Sequence, residues 1–253
     1  MRPLQGAVMA LCSAACAAEL PSPTRVDALR LIALTTDTPD VRPGDPFAVR
    51  ALWFDPRGRP ARLRWSWCWE APGVDPLACA AGEAGHGLDA TGDLVTVPAE
   101  ASRDRPRGVD TVIVVARVEA VGERVEGFRR VRVRAEGALN RPPEITEVAI
   151  GEGASRAAVG EGEVRETSLR ALRVELVAAA DAREPTGDGG VEALTASFLA
   201  SAGSLDPPRV LGGEGTFVAR WTGDAVGDVR FWAVLRDDRG GVRARGWTLR
   251  FAR

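Results

Sequence analysis

Hydrophobic residues in this chain recur at every second position rather than at helical spacing, and that alternation restricts the fold more than any other feature. The alternating runs are short: Asp27 to Leu34, Phe47 to Trp53, Arg62 to Trp69, Thr111 to Val118, Val125 to Arg134, Leu172 to Ala178, Phe217 to Trp221, Val229 to Leu235 and Trp247 to Phe251. Side chains that change face at each residue suit a half-buried strand, whereas an amphipathic helix needs a period of 3.6. Clusters of Pro, Gly and Asp separate the runs, among them Arg42-Pro-Gly-Asp45, Asp55-Pro-Arg-Gly-Arg-Pro60 and Asp237-Asp-Arg-Gly-Gly241. No segment offers an amphipathic helix. Many short strands punctuated by turns predict an all-β chain of antiparallel sandwiches.

A boundary falls at Gly137-Ala-Leu-Asn-Arg-Pro-Pro143, where two prolines forbid ladder pairing before a new strand begins at Ile145. The chain is therefore expected to divide into an N-terminal signal segment, 1–20, a first sandwich, 21–138, and a second, 143–253. The halves repeat one pattern of strand, Asp, turn and strand. It runs from Ala51 through Asp55 and Gly58 to Trp65, and returns from Val177 through Asp181 and Gly190 to Phe198. In the stretch Arg220 to Val242, Trp221 precedes a Gly-led alternating strand that closes on Asp237-Asp-Arg-Gly-Gly241. In this the second half resembles bacterial Ig-like, PKD-like and cadherin-like modules over most of its length; the first half does so around the Asp55 turn. The resemblance implies two tandem Ig-like domains and a structural or binding role.

At the N-terminus, Arg2, the apolar run Leu4 to Leu11 and the small residues before Cys16 have the parts of a secretory signal, too short to span a bilayer. Ser13-Ala14-Ala15-Cys16 resembles the end of a bacterial lipoprotein signal. That resemblance implies lipid attachment at Cys16, a membrane partner through the anchor, and, with Ala17 following the cysteine, the outer membrane or cell surface. The competing reading is cleavage after Ala17 or Ala18, leaving a soluble periplasmic or secreted protein. In an oxidising compartment Cys68 and Cys79 are expected to form a disulfide. Alternation puts Leu63, Trp65, Trp67 and Trp69 on one face of their strand and Arg62, Arg64, Ser66 and Cys68 on the other. Cys68 should then leave from the wet face, its bridge stapling the Pro72 to Ala78 loop outside the sheet for about 3 kcal/mol.

The formal charge of -2 supplies no field for nucleic acid. All 33 basic residues are arginine, as a GC-rich genome would give. Among candidate ligand-binding residues, Trp69 ends the tryptophan stripe nearest a loop, and Arg130 and Arg132 belong to a row with Arg129 and Arg134 that could meet polyanions. The stripe reads equally as core, and the row as a solvated edge strand. Asp181, Asp237 and Asp238, with Glu184, are weak calcium candidates without the spacing of a calcium loop, and turn stabilisation is the simpler role. His86 is the single histidine and has no nucleophile motif around it. The glycines of Gly151-Glu-Gly153, Gly160-Glu-Gly162 and Gly212-Gly-Glu-Gly215 lack the context of a phosphate loop. The expectation is a non-enzymatic envelope lipoprotein without cofactor, its partner an envelope protein or polysaccharide. The alternative is a carbohydrate- or polyanion-binding module, with a hydrolase less supported.

Overall fold

Strand pairing sorts the chain into four sheets. The computed structural model describes residues 22–252 apart from 82–84, 91, 105, 153, 154, 186–189, 213 and 214. The signal segment with Cys16 therefore lies outside the described residues. The first half contains β1 (Arg30–Thr35), β2 (Asp40–Val41), β3 (Phe47–Phe54), β4 (Ala61–Trp69), α1 (Pro76–Ala81), β5 (His86–Leu88), β6 (Leu94–Val97), α2 (Glu100–Arg103), β7 (Thr111–Ala120) and β8 (Glu123–Val133). The second contains β9 (Ile145–Glu152), β10 (Ser155–Ala158), β11 (Val164–Thr167), β12 (Ala171–Ala178), β13 (Leu194–Ala200), β14 (Ser204–Asp206), β15 (Arg209–Leu211), β16 (Thr216–Thr222), β17 (Gly227–Asp237) and β18 (Val242–Phe251).

Sheet order identifies the topology. In the second half, β9-β12-β16-β14 faces β18-β17-β13, the two-sheet order of an Ig-like sandwich, with β10 and β15 added at edges. In the first half the corresponding strands are β1-β3-β6 and β8-β7-β4. Each half also pairs one short strand in parallel with its last strand, β2 with β8 and β11 with β18. The protein thus comprises two tandem Ig-like β-sandwiches, and each closes its own core. The first is built on Val49, Trp65, Val112, Val114 and Val131, the second on Trp221, Phe231, Trp247 and Phe251. The stretch Trp221-Thr222-Gly223 ahead of that strand has a steric reason. The Trp221 ring lies against Gly223, where a Cβ would sit 2.8 Å from the indole, while its Nε1 donates to the Ala202 carbonyl at 2.8 Å.

A third apolar cluster joins the sandwiches. Ile32 and Ala33 of β1, with Leu52 and Phe54 of β3, pack on Leu199, Trp232, Val234 and Val242 of the second sandwich. A register shift between Leu31 and Ala33 lets one strand serve both sides, since Leu31 and Leu34 still pack on the first core. The Phe54 and Trp232 rings lie 5.0 Å apart, and the Arg230 guanidinium sits 5.3 Å over Phe54. The stretch Thr24 to Val26, expected within the first sandwich, docks on the second. Val26 N–H donates to the Ala200 carbonyl at 2.8 Å, and Ala200 N–H to the Thr24 carbonyl at 2.9 Å.

Two expectations need correction. Cys68 is not on a wet face: it is 0% exposed, because α1 lies over that side of the sheet and Leu77 packs on Cys68, Ile113 and Val115. Arg129 is not part of a solvated row: it is in phase with the inward Val131 and Val133, and it is 7% exposed against the second sandwich.

This packing makes a fragment spanning 143–253 informative. It retains every residue of the second core but uncovers Trp232, Leu199 and Val242 and lacks Thr24 to Val26. It should give a β-rich circular dichroism spectrum and a cooperative melt. Its midpoint should lie below that of the full chain, and it should bind a hydrophobic dye that the full chain does not.

Candidate functional site

The tryptophan stripe faces the first core. Trp65 and Trp67 are buried and Trp69 is half-buried against the same cluster, while Trp65 Nε1 donates to the Gly92 carbonyl at 3.1 Å. His86 lies on edge strand β5, and its ring stacks on Trp67 at 4.4 Å with 21° between planes. Arg130 pairs with Glu70 at 2.7 Å and lies 4.9 Å from the Phe128 ring centre. Arg132 is half-buried beside the parallel pairing with β2. The sequence-derived ligand candidates are therefore not assembled into one site. Cys68 is disulfide-bonded; the Cys79 side chain lies outside the described residues.

Asp55 shows how this chain uses its turn carboxylates. It accepts the Arg57 N–H at 3.1 Å and takes the Arg59 guanidinium on both oxygens, at 2.7 and 3.2 Å. Arg59 continues to Glu123 at 2.8 Å, and Glu123 accepts the Leu29 N–H at 3.2 Å. The hydrogen bonds from Arg59 hold both carboxyls below their ordinary range. The turn thereby ties β3 to the β7–β8 hairpin and to the chain entering β1.

Asp237 plays the parallel part in the second half and reaches further. Its Oδ1 accepts N–H groups from Arg239 at 2.9 Å and Gly241 at 2.5 Å, as an Asp at the head of a turn does. Its Oδ2 accepts Asn140 Nδ2 at 3.3 Å. Asn140 N–H in turn donates to Asp40 at 3.1 Å, and Asp40 pairs with Arg134 at 2.6 Å. One linker residue therefore spans a buried carboxylate of each sandwich. Arg129 completes the joint by donating to the Gly240 carbonyl. Burial pulls its pKa down to about 10, and the charges of Asp237 and Asp40 oppose that fall. Gly241 is required here, because a Cβ would collide with the Asp237 carboxylate and come 2.8 Å from Pro143. Of the calcium candidates, Asp237 is thus a turn and joint residue. Asp238 is exposed and accepts the Ala193 N–H at 3.4 Å, and Asp181 is exposed. Among the described residues no three His, Cys, Asp or Glu side chains are grouped to hold a metal.

Sequence reasoning missed the joint, although its signals were present: Arg129 falls in the inward phase of β8, and Asn140 precedes the proline pair. Beside the joint, a cleft of about 1060 Å³ opens between β3 and β6 of the first sandwich and β18 of the second. Arg50, Arg141, Arg243 and Arg245 stand on its walls, with Leu52 and Leu94 between them. Arg243 crosses the seam to Asp37 at 2.8 Å, Arg50 pairs with Asp93 at 3.1 Å, and Arg245 donates to the Ile145 carbonyl at 2.9 Å. Leu94 is 45% exposed. The cleft joins partly neutralised cations to an open apolar patch.

No protein-family model matches the chain, and no curated protein matches it. Solved structures similar to it include the N-terminal Ig1-2 module of the Drosophila receptor protein tyrosine phosphatase DLAR. That match has 12% identity and a TM-score of 0.30, and covers 89% of this chain and 100% of that one. Escherichia coli alpha-2-macroglobulin activated by porcine elastase matches at 14% identity and a TM-score of 0.28, over 90% of this chain and 22% of that one. The Yersinia pseudotuberculosis adhesin InvE matches at 12% identity and a TM-score of 0.25, over 86% and 58%. At such TM-scores these likenesses add nothing to the topology that the strand order already gives.

The joint and the turn make separate predictions. Arg129→Ala removes the buried charge beside Asp237 and the donor to the Gly240 carbonyl, and should cost on the order of 3 kcal/mol. Small-angle scattering should show a larger radius of gyration as the sandwiches separate, while the circular dichroism spectrum stays β-rich. The lowered carboxyls set the pH response. Because the folded pKa of Asp55 lies below the unfolded value near 4, its contribution is complete above about pH 4 and is lost as pH falls through the folded value. The melting temperature of the wild type should fall as the pH drops below about 4, and that of Asp55→Asn should fall less.

Proposed function

We propose that this is an exported, non-enzymatic binding protein whose two sandwiches form one rigid arm and present the seam between them to an acidic envelope protein or polysaccharide. The joint at Arg129, Asn140 and Asp237 carries the reading. A cleft shared by two domains keeps its shape only if the domains keep their angle, and tandem domains otherwise move freely. Here buried charge, a bridging amide and a third apolar cluster all act on that angle. Recognition needs such a presented surface, whereas catalysis needs a positioned acid, base or nucleophile. His86 supports the same reading, since its ring lies against Trp67. Four arginines stand against Asp37, Glu144 and Glu161 on the cleft walls, a small positive excess with exposed Arg141 at its edge that favours an acidic partner, and Leu52 and Leu94 give it apolar contact.

Arg141 and Leu94 are exposed at the cleft, so Arg141→Glu with Leu94→Asp should leave the fold intact and change stability by about 0.5 kcal/mol or less each. Sedimentation with envelope polysaccharide and cross-linking in envelope fractions should show at least a ten-fold loss of capture. Undiminished capture by the folded double variant would place the binding face elsewhere.

Export and anchoring rest on the signal segment and on cysteine chemistry. No helix among the described residues is long and apolar enough to cross a membrane. On the signal-segment reading, the mature protein should enter the membrane fraction through an acylated Cys16, seen as a lipid mass on an N-terminal peptide; a soluble chain starting at Ala18 or Glu19 would refute the anchor. Non-reducing peptide mapping should join Cys68 to Cys79.

A further inference from the structure

On the opposite flank of the seam, β1 passes over β13, β15 and the end of β17 and leaves a crevice of about 340 Å³. Arg30 of the first sandwich and Arg209 and Arg236 of the second line it, with Ser197 among them. Among the described residues no carboxylate lines it. Elsewhere in the chain Arg59 is answered by Asp55 and Glu123, and Arg239 by Glu184 and Glu192. Arg236 is half-buried, and its Nη1 makes a long 3.4 Å hydrogen bond to Ser197 Oγ. Burial holds its pKa below the usual value, and the charge of Arg209 pushes it the same way. Arg30 directs Nη1 to the carbonyls of Pro23 and Arg25, at 3.2 and 3.4 Å. Arg209 is exposed at the mouth.

We infer that this crevice binds the phosphate group of an organophosphate. Three guanidinium groups and one hydroxyl offer more donors than a carboxylate can use, and the phosphate of a monoester or diester supplies both the oxygens and the negative charge that the crevice lacks. The crevice also has apolar walls at Pro23, Leu31 and Pro208, which suit an organic substituent on that phosphate. The inference shares with the proposed function only the seam as binding face. It uses the flank away from Arg141 and Leu94, so either site can fail while the other stands.

The test is calorimetric titration of the full chain with glycerol 3-phosphate, alongside flotation with phosphatidylglycerol and phosphatidylcholine vesicles. Saturable binding is expected, weakened at least ten-fold by Arg209→Ala, lost in Arg236→Gln, and reduced at about 0.5 M salt. Arg130→Ala, which removes the same charge elsewhere, should leave it unchanged. Arg209-dependent binding of the soluble ester assigns a soluble organophosphate. Arg209-dependent binding of phosphatidylglycerol vesicles alone assigns a lipid headgroup. Absence of binding to both, or equal loss in Arg130→Ala and Arg209→Ala, overturns the inference. Circular dichroism of each variant separates loss of binding from loss of fold.

Discussion

The seam between the sandwiches is the constraint on which the rest of the molecule depends, and two kinds of force hold it. The apolar cluster around Trp232, Leu199 and Ile32 supplies most of the free energy, since each large side chain removed from water is worth about 1.5–3 kcal/mol. The exposed Arg243–Asp37 pair adds about 1 kcal/mol at most. Buried charge contributes differently: Asp40, Arg129 and Asp237 are costly to desolvate, and replacing such a set with apolar residues is often neutral. What they provide is direction. Apolar faces can slide over one another, whereas Asn140 meets Asp40 with its backbone N–H and Asp237 with its side chain in one relative placement.

The same logic explains two strands that alternation alone would leave half wet. Thr111 to Ala116 of β7 and Phe231 to Leu235 of β17 are buried on both faces, and both sequences are nearly continuous apolar runs. In the first sandwich the outer face is covered by α1, with Leu77 over Ile113 and Val115. In the second it is covered by the first sandwich itself, through Trp232 and Val234. Each Ig-like unit thus has a sheet with an apolar outer face, one covered by a local helix and the other by its neighbour.

Much of this was legible in the sequence. Nine of the eleven strands of six or more residues coincide with period-two runs, β18 beginning five residues before its run; β9 followed from the strand expected at Ile145, β13 was not among the runs, and the proline pair marked the passage between sandwiches. The turn aspartates Asp55 and Asp237 were readable as turn residues from the glycines after them. Short strands such as β2, β10, β14 and β15 were not, because two to four residues carry too little alternation to stand out. The helix over Cys68 was missed for the same reason, although Asp75-Pro76 is a helix-start signal and Asp75 accepts the Leu77 N–H at 2.8 Å. The joint required knowing which surface Arg129 meets, 111 residues away in sequence at Gly240. Periodicity says that a side chain points inward, not what waits there.

The seam's two flanks differ in chemistry, and the difference bears on how the molecule is used. On the β18 side, Asp37, Glu144 and Glu161 stand among the arginines, so the field is mixed and an apolar patch is open. On the β15 side the described lining is cationic without a carboxylate and the space is smaller. A large partner can gain area on the first flank, because Leu94 and Leu52 offer surface that water covers poorly. The second flank has little area to offer and instead concentrates charge, which favours a compact anion over a broad surface. Both flanks take their shape from one interdomain angle. A ligand that prefers either flank in its closed geometry would stabilise the seam, and through it the geometry of the other flank.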